Sequence, residues 1–166
     1  MSAVIVRPAR TGDVRAIRSF IDAYSPDGRL LSKATVTLFE DIQEFVVAEQ
    51  AGIVVGCGAL HVIWEDLAEV RTLAVDPTRA GQGIGTAILT DLMDRARAVG
   101  VSRVFCLTFA VPFFERHGFV EIDDTPIDHD VYEQLLQSYD EGVAEFLGLE
   151  RVKPNTLGNH RMLATL

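Results

Sequence analysis

The chain has 166 residues, 48% of them apolar, which is enough for one domain with a buried core and too apolar for a disordered chain. Its net charge of −9 argues against nucleic acid or an anionic membrane as the main partner. It shows no basic, apolar leader and no apolar run of membrane-spanning length, so a soluble, cytoplasmic protein is expected.

Val4 to Arg7 reads as a short strand ended by Pro8, and Thr11 as the N-cap of a helix whose apolar face is Val14, Ile17, Phe20 and Ile21. Ser25-Pro26-Asp27-Gly28 is a turn. A second helix is expected from near Ala34, with Val36, Leu38, Phe39 and Ile42 inside. Phe45–Glu49 and Ile53–Ile63 are strands joined at Gln50-Ala51-Gly52, which is hairpin chemistry. Gly56 and Gly58 flank Cys57 in the second of these and predict a bulge or a close approach by another backbone. Cys57 and Cys106 each lie in an apolar run and read as reduced core residues.

Trp64-Glu65-Asp66 is a turn, and a third strand of this group carries Val70 to Val75 up to Asp76-Pro77. From Ile84 the apolar residues Ile84, Ala87, Ile88, Leu92, Met93, Ala96 and Val99 fall at helical spacing. Gly81, Gly83 and Gly85 mark the junction. A glycine-bearing turn that opens a helix gathers unpaired N–H groups at the positive end of the helix dipole, and phosphate binds there readily. The first functional expectation is therefore a phosphorylated cofactor.

After this helix come a strand at Val104–Thr108, a short helix at Val111–His117 closed by Gly118, and a strand at Phe119–Ile122. A helix follows from Asp128 to about Leu147, with a break near Gly142. Lys153-Pro154-Asn155 is a turn, and Arg161–Leu166 a last strand. The order β-α-α-β-β-β-α-β-α-β-α-β defines an α/β fold with a mixed sheet in one domain. The middle three strands pair antiparallel. The acidic stretch Glu121–Asp130 reads as a solvated loop.

This order, and Ala80-Gly81-Gln82-Gly83-Ile84-Gly85 after the fourth strand, resemble the GNAT N-acetyltransferase superfamily, as does Phe113-Phe114-Glu115-Arg116-His117-Gly118-Phe119. The resemblance implies a central mixed, mostly antiparallel sheet flanked by helices, with acetyl-CoA as acetyl donor. The family pattern begins with a basic or amide residue where this chain has Ala80, with Arg79 one place earlier. A dinucleotide-binding βαβ unit fits less well, because its glycine motif should follow the first strand. Leu30-Leu31-Ser32-Lys33, the run Leu38–Glu49, Ala68–Val75, Val104–Thr108 and the closing Asn159-His160-Arg161 further resemble the acetyltransferase domain of N-acetylglutamate synthases, in the short form that lacks a kinase-like domain.

By that resemblance, the main chain of Leu73, Ala74 and Val75 pairs with the pantetheine arm, and one of its N–H groups bonds the thioester oxygen. The N–H groups of the loop and helix start (Gly81, Gln82, Gly83, Ile84, Gly85 and Thr86) hold the pyrophosphate. An α-ammonium must lose a proton before it attacks. Glu69 matches the glutamate given that task in the synthases, acting directly or through water. The general acid is unassigned, because Phe114 stands where many members carry tyrosine.

Carboxylates of an amino-acid substrate need cations. Lys33 aligns with a basic position of the synthases; Arg71 shares a strand face with Glu69 by its two-residue spacing; Arg161 is a third candidate. Thr108 and Asn159 are hydrogen-bonding candidates. The four histidines show no metal-ligand spacing, and no metal is expected.

The reading is thus transfer of acetyl from acetyl-CoA to the α-amine of L-glutamate by direct attack, the opening reaction of arginine biosynthesis. The alternatives are another acceptor (glutamine, a different amino acid or a protein N-terminus) and a non-catalytic sensor that binds CoA or an amino acid. Neither nucleic acid nor membrane is expected as a partner, and a homodimer is the oligomer common among isolated domains of the superfamily.

Overall fold

A computed structural model describes residues 2–24, 34–148 and 159–166, apart from the side chain of 141. Lys33, the turn at 25–28 and the Lys153-Pro154-Asn155 turn lie outside the described residues. The elements are β1 (Val4–Pro8), α1 (Val14–Tyr24), α2 (Thr35–Glu40), β2 (Phe45–Gln50), β3 (Ile53–Trp64), β4 (Leu67–Val75), α3 (Ile84–Val99), β5 (Arg103–Thr108), α4 (Val111–Glu115), β6 (Val120–Ile122), α5 (His129–Leu135), α6 (Glu141–Leu147) and β7 (His160–Thr165). The strands take the order β1-β2-β3-β4-β5-β7-β6 in a seven-stranded sheet. The pairs β1–β2, β2–β3, β5–β7 and β6–β7 are antiparallel. The expected mixed, mostly antiparallel sheet with flanking helices is therefore present.

The chain forms two compact units, Met1–His61 with Val70–Val99, and Val62–Glu69 with Gly100–Leu166. In the first, Val14, Ile17, Phe20 and Ile21 bury the expected face of α1 against Leu38, Phe45, Val47 and Cys57. Thr11 is not the cap of α1. Residues Thr11–Asp13 form a 3-10 turn, and the Asp13 carboxylate accepts the Arg10 N–H at 2.7 Å. The same carboxylate binds both terminal nitrogens of Arg7, at 2.9 and 3.0 Å, while Arg7 Nε donates to Glu49 at 2.7 Å. Asp13 wins the position because a carboxylate satisfies an arginine and a backbone donor together.

Of the residues expected inside α2, only Leu38 is buried. Val36 and Phe39 are exposed and Ile42 is half-buried, because a six-residue helix turns one narrow face inward. In α3, Leu89 joins the core and Val99 is exposed.

The bulge expected at Gly56 and Gly58 is present, and a close backbone approach is made at Gly56 alone. The β2–β3 register slips between Ala48 and Glu49, leaving Val55 as an extra residue whose carbonyl accepts the Asp76 N–H at 2.8 Å. Helix side chains come close at both glycines. A Cβ on Gly56 would stand 2.9 Å from Ile88 Cδ1 and 3.0 Å from the Ala74 carbonyl oxygen, and one on Gly58 would stand 2.8 Å from Ile88 Cγ2.

The second unit is built on Phe105, which meets Phe146 edge-on at 4.8 Å, with Ile63, Leu67, Leu135, Val143 and Leu147 around them. The long helix expected over 128–147 is two helices. Its break lies at residues 136–140, ahead of Gly142, because Asp140 caps α6 by accepting the Val143 N–H at 2.9 Å while Ser138 Oγ accepts the Asp140 N–H. The last strand starts and ends one residue earlier than expected.

The Arg7 guanidinium holds the Asp13 carboxyl below its usual range, with the Arg10 N–H adding to the effect. A depressed native pKa stabilises the fold above the unfolded value of about 3.9 and loses that contribution as pH falls through the native one. Asp13→Asn is expected to lower unfolding free energy by about 2 kcal/mol at pH 7. Urea titrations should show the difference between the two proteins shrinking as pH falls below the unfolded carboxyl value of about 3.9.

Candidate active site

β4 carries the candidate residues and is buried from Leu67 through Arg71. Glu69 and Arg71 are 4% and 8% exposed, unusual for charged side chains. The strand conformation then fails at one residue: Thr72 has φ of +54°. A β-branched residue in the left-handed region is a true outlier that costs on the order of 1–3 kcal/mol, and such strain gathers at functional sites.

Beyond Thr72 the strand end is tied down from two sides. Tyr24 Oη donates to the Val75 carbonyl at 2.6 Å, and the next N–H, that of Asp76, is held by Val55. Asp76 accepts from both the N–H and the hydroxyl of Thr78, at 2.9 and 2.8 Å, which turns the chain toward the glycine loop and depresses its carboxyl pKa. Tyr24 escaped the sequence reading. Its only signal was a place one turn beyond Phe20 and Ile21, on the buried face of α1.

Gly81 and Gly83 have φ of +78° and +80°, and nothing lies within 4 Å of where a Cβ would stand on either. The carbonyl of Gly83 accepts the Ala87 N–H at 3.1 Å, so Gly83 is the cap of α3. The N–H groups of Ile84, Gly85 and Thr86 precede that first helical bond, and a glycine cap has no side chain to offer them. The loop is thus open, glycine-lined and rich in donors, and it fits a pyrophosphate. Arg79 does not fill the gap left by Ala80: its Nη1 donates to Gln50 at 2.7 Å and its Nε lies 3.7 Å from Asp76.

In the second unit, Glu69 lies within electrostatic reach of both Cys106 and Arg161. Burial, reinforced by the Glu69 charge, pushes the Cys106 thiol well up, so it stays protonated. Burial also lowers the pKa of Arg161, against the opposing pull of Asp124, Glu69 and Glu145. Arg161 is half-buried, donates to the Phe146 carbonyl at 2.8 Å and lies 5.8 Å from the Phe105 ring centre. It pairs in register with Leu107, one residue from the Thr108–His160 pair. The Thr108 hydroxyl oxygen accepts the Ala110 N–H at 2.8 Å and so helps turn the chain into α4. Asn159 is half-buried immediately before β7.

Phe114 is buried and stacks edge-on with Phe113 and Phe119. Each histidine has a side-chain or backbone partner: His61 pairs with Glu44, His117 donates to the Phe113 carbonyl, His129 faces Glu133 and His160 pairs with Glu121. Among the described residues no group of side chains could hold a metal ion. A surface cavity of about 480 Å³, lined by Trp64, Arg103, Pro126, Ile127 and Val131 among others, includes none of the candidate residues. Its Arg103 is engaged by Asp66 and the Pro126 carbonyl. No helix among the described residues is long and apolar enough to cross a membrane.

A buried strand with one strained residue runs into an open glycine loop at a helix start, a donor-rich cradle suited to the phosphates of a cofactor. Residues 15–119 match the model of the acetyltransferase (GNAT) family. The chain belongs to this family of acetyl-CoA-dependent N-acetyltransferases.

It is 55% identical to the amino-acid acetyltransferase of Mycobacterium tuberculosis over 98% of this chain and 94% of that protein. The crystal structure of Rv2747 from the same organism, in complex with CoA and NLQ, superposes with a TM-score of 0.94 at 55% identity, covering 98% of this chain and 99% of the other. The N-acetylglutamate synthase of Neisseria gonorrhoeae, complexed with coenzyme A and N-acetyl-glutamate, has a TM-score of 0.79 at 26% identity. It covers all of this chain, which spans 36% of that longer one.

A side chain on Gly83 would both resist its left-handed backbone and obstruct the donors beside it. Gly83→Val is expected to weaken CoA binding at least tenfold by calorimetry, with unfolding temperature within a few degrees of wild type.

Proposed function

We propose that this protein transfers acetyl from acetyl-CoA to the α-amine of L-glutamate, as a single acetyltransferase domain. The observation that carries the reading is Glu69, a carboxylate almost wholly buried on the strand that leads, through Thr72, into the glycine loop. Support for the acceptor comes from the amino-acid acetyltransferase that matches nearly the whole chain and from the N-acetyl-glutamate held by the gonococcal relative.

Acetyl-CoA supplies an activated acetyl group as a thioester. The N–H groups from Gly81 to Thr86 hold its pyrophosphate, and the main chain of Leu73 to Val75 holds the pantetheine arm. An N–H of that segment donates to the thioester oxygen, where negative charge grows during attack; one such donor is worth about 3 kcal/mol. Glu69 takes a proton from the substrate ammonium, directly or through a water molecule. Arg71 and Arg161 meet the substrate carboxylates, with Lys33, Thr108 and Asn159 as further contacts. The leaving thiolate needs little help, because a thiol is far more acidic than an alcohol. The two free cysteines suit a reducing, cytoplasmic setting.

Glu69→Gln is expected to cut kcat at least a hundredfold while leaving the CoA dissociation constant within twofold, measured by stopped-time thiol release and calorimetry. Acetyl-CoA turnover over a panel of amino acids should rank glutamate first. Glutamine or a peptide N-terminus in that place would overturn the acceptor assignment, and no turnover at all would favour a sensor.

Cys106 is protonated and buried, so it is a poor nucleophile. Cys106→Ala should keep kcat within about threefold of wild type, and an acetylated enzyme should be absent from mass spectra taken with acetyl-CoA alone. Either result reversed would replace direct transfer by a two-step route.

A further inference from the structure

Thr72 sits in its left-handed conformation beside one further contact: the thiol of Cys57, on β3, donates to the Thr72 carbonyl at 3.4 Å. Cys57 is fully buried in the core formed with α1 and α2. Its neighbours Gly56 and Gly58 press against Ile88 of α3 with no room for a Cβ. Side chains alternate along a strand, so Cys57 faces away from α3, and the packing of the two glycines fixes its height. The sulfur is therefore a donor on a rigid platform.

The chain contains no cis peptide bonds among its described residues, so the Thr72 carbonyl and the Leu73 N–H point in opposite directions from one planar group. Whatever holds the Thr72 oxygen also aims the Leu73 N–H. The following carbonyl tie, Tyr24 to Val75, and the Asp76–Val55 bond fix the far end of the same three-residue segment.

We propose that Cys57 is a positioning residue for acetyl transfer: its thiol holds the Thr72 carbonyl and thereby aims the Leu73 N–H at the thioester oxygen. This rests on the reading that β4 polarises the thioester, and it selects Leu73 from the three candidates. A sulfhydryl is a weak donor, but the geometry needs only to favour one peptide orientation over its alternatives. The contact should matter more to the growing negative charge than to the bound ground state, and so appear in kcat and hardly in KM for acetyl-CoA.

Cys57→Ser keeps a donor in nearly the same place, whereas Cys57→Val fills the volume without one. Two measurements separate positioning from packing. The first is kcat with the acceptor that wild type prefers: a fall of roughly tenfold is expected for Cys57→Val and a value within twofold of wild type for Cys57→Ser, with CoA affinity unchanged in both. The second is the isotope-edited infrared band of the thioester carbonyl in bound [1-13C]acetyl-CoA. It should lie at the same lowered frequency in wild type and Cys57→Ser and shift back toward the free value in Cys57→Val. The band needs no acceptor, so an error in the glutamate assignment leaves it intact. An unmoved band in Cys57→Val, or equal kcat for the two variants, would overturn the proposal.

Discussion

One buried strand has to serve two incompatible ends, and Thr72 is where they are reconciled. Up to Arg71, β4 is an ordinary interior strand whose side chains are covered. From Leu73 onward, on the function proposed above, its backbone offers hydrogen bonds to a ligand instead of only to its sheet. A regular strand commits its N–H and C=O groups to its neighbours, so the change of use demands a break in the backbone pattern. A left-handed threonine, at +54°, is that break. It is tolerated because the surroundings hold the segment at both ends: Cys57 from β3 on the Thr72–Leu73 peptide group, and Tyr24 from α1 with Val55 from the bulge on the Val75–Asp76 group.

The same economy governs the packing of α3. Two glycines spaced by one residue let the helix come close to β3, and the bulge that the register slip creates gives Asp76 a partner for its N–H. Strand, turn and helix thus reach the glycine loop with their positions already set. The acid–base side is separate in kind. Glu69 and Arg161 sit in low-dielectric surroundings where their charges are felt at longer range, and the Cys106 thiol nearby is held neutral by that environment. Burial thus acts on two of these side chains in one direction, raising the Cys106 pKa and lowering that of Arg161, each toward its neutral form.

Much of this was legible in the residues themselves. The element order, the buried face of α1, the glycine loop and the two glycines around Cys57 all follow from periodicity or from the lack of a side chain, which are local properties. What escaped depends on partners distant in sequence. Thr72 is β-branched and gives no local sign of a left-handed backbone. Tyr24 meets Val75 fifty-one positions away. Arg79 next to the loop looked available for phosphate until Gln50, from β2, claimed it. Asp13 displaced Thr11 as the capping group because Arg7 had already drawn its carboxylate into place. Val36 and Phe39 were expected inside on hydrophobicity alone, yet a helix of six residues has too little inward face for them.

The diversion of Arg79 has a consequence for how the cofactor arrives. A chain of net charge −9 repels a polyanion at a distance, and Arg79, the basic side chain next to the loop in sequence, is held by Gln50. Dipoles act only at contact, whereas net charge acts across the Debye length. With the loop as the proposed phosphate cradle, capture is opposed on approach and rewarded only on docking.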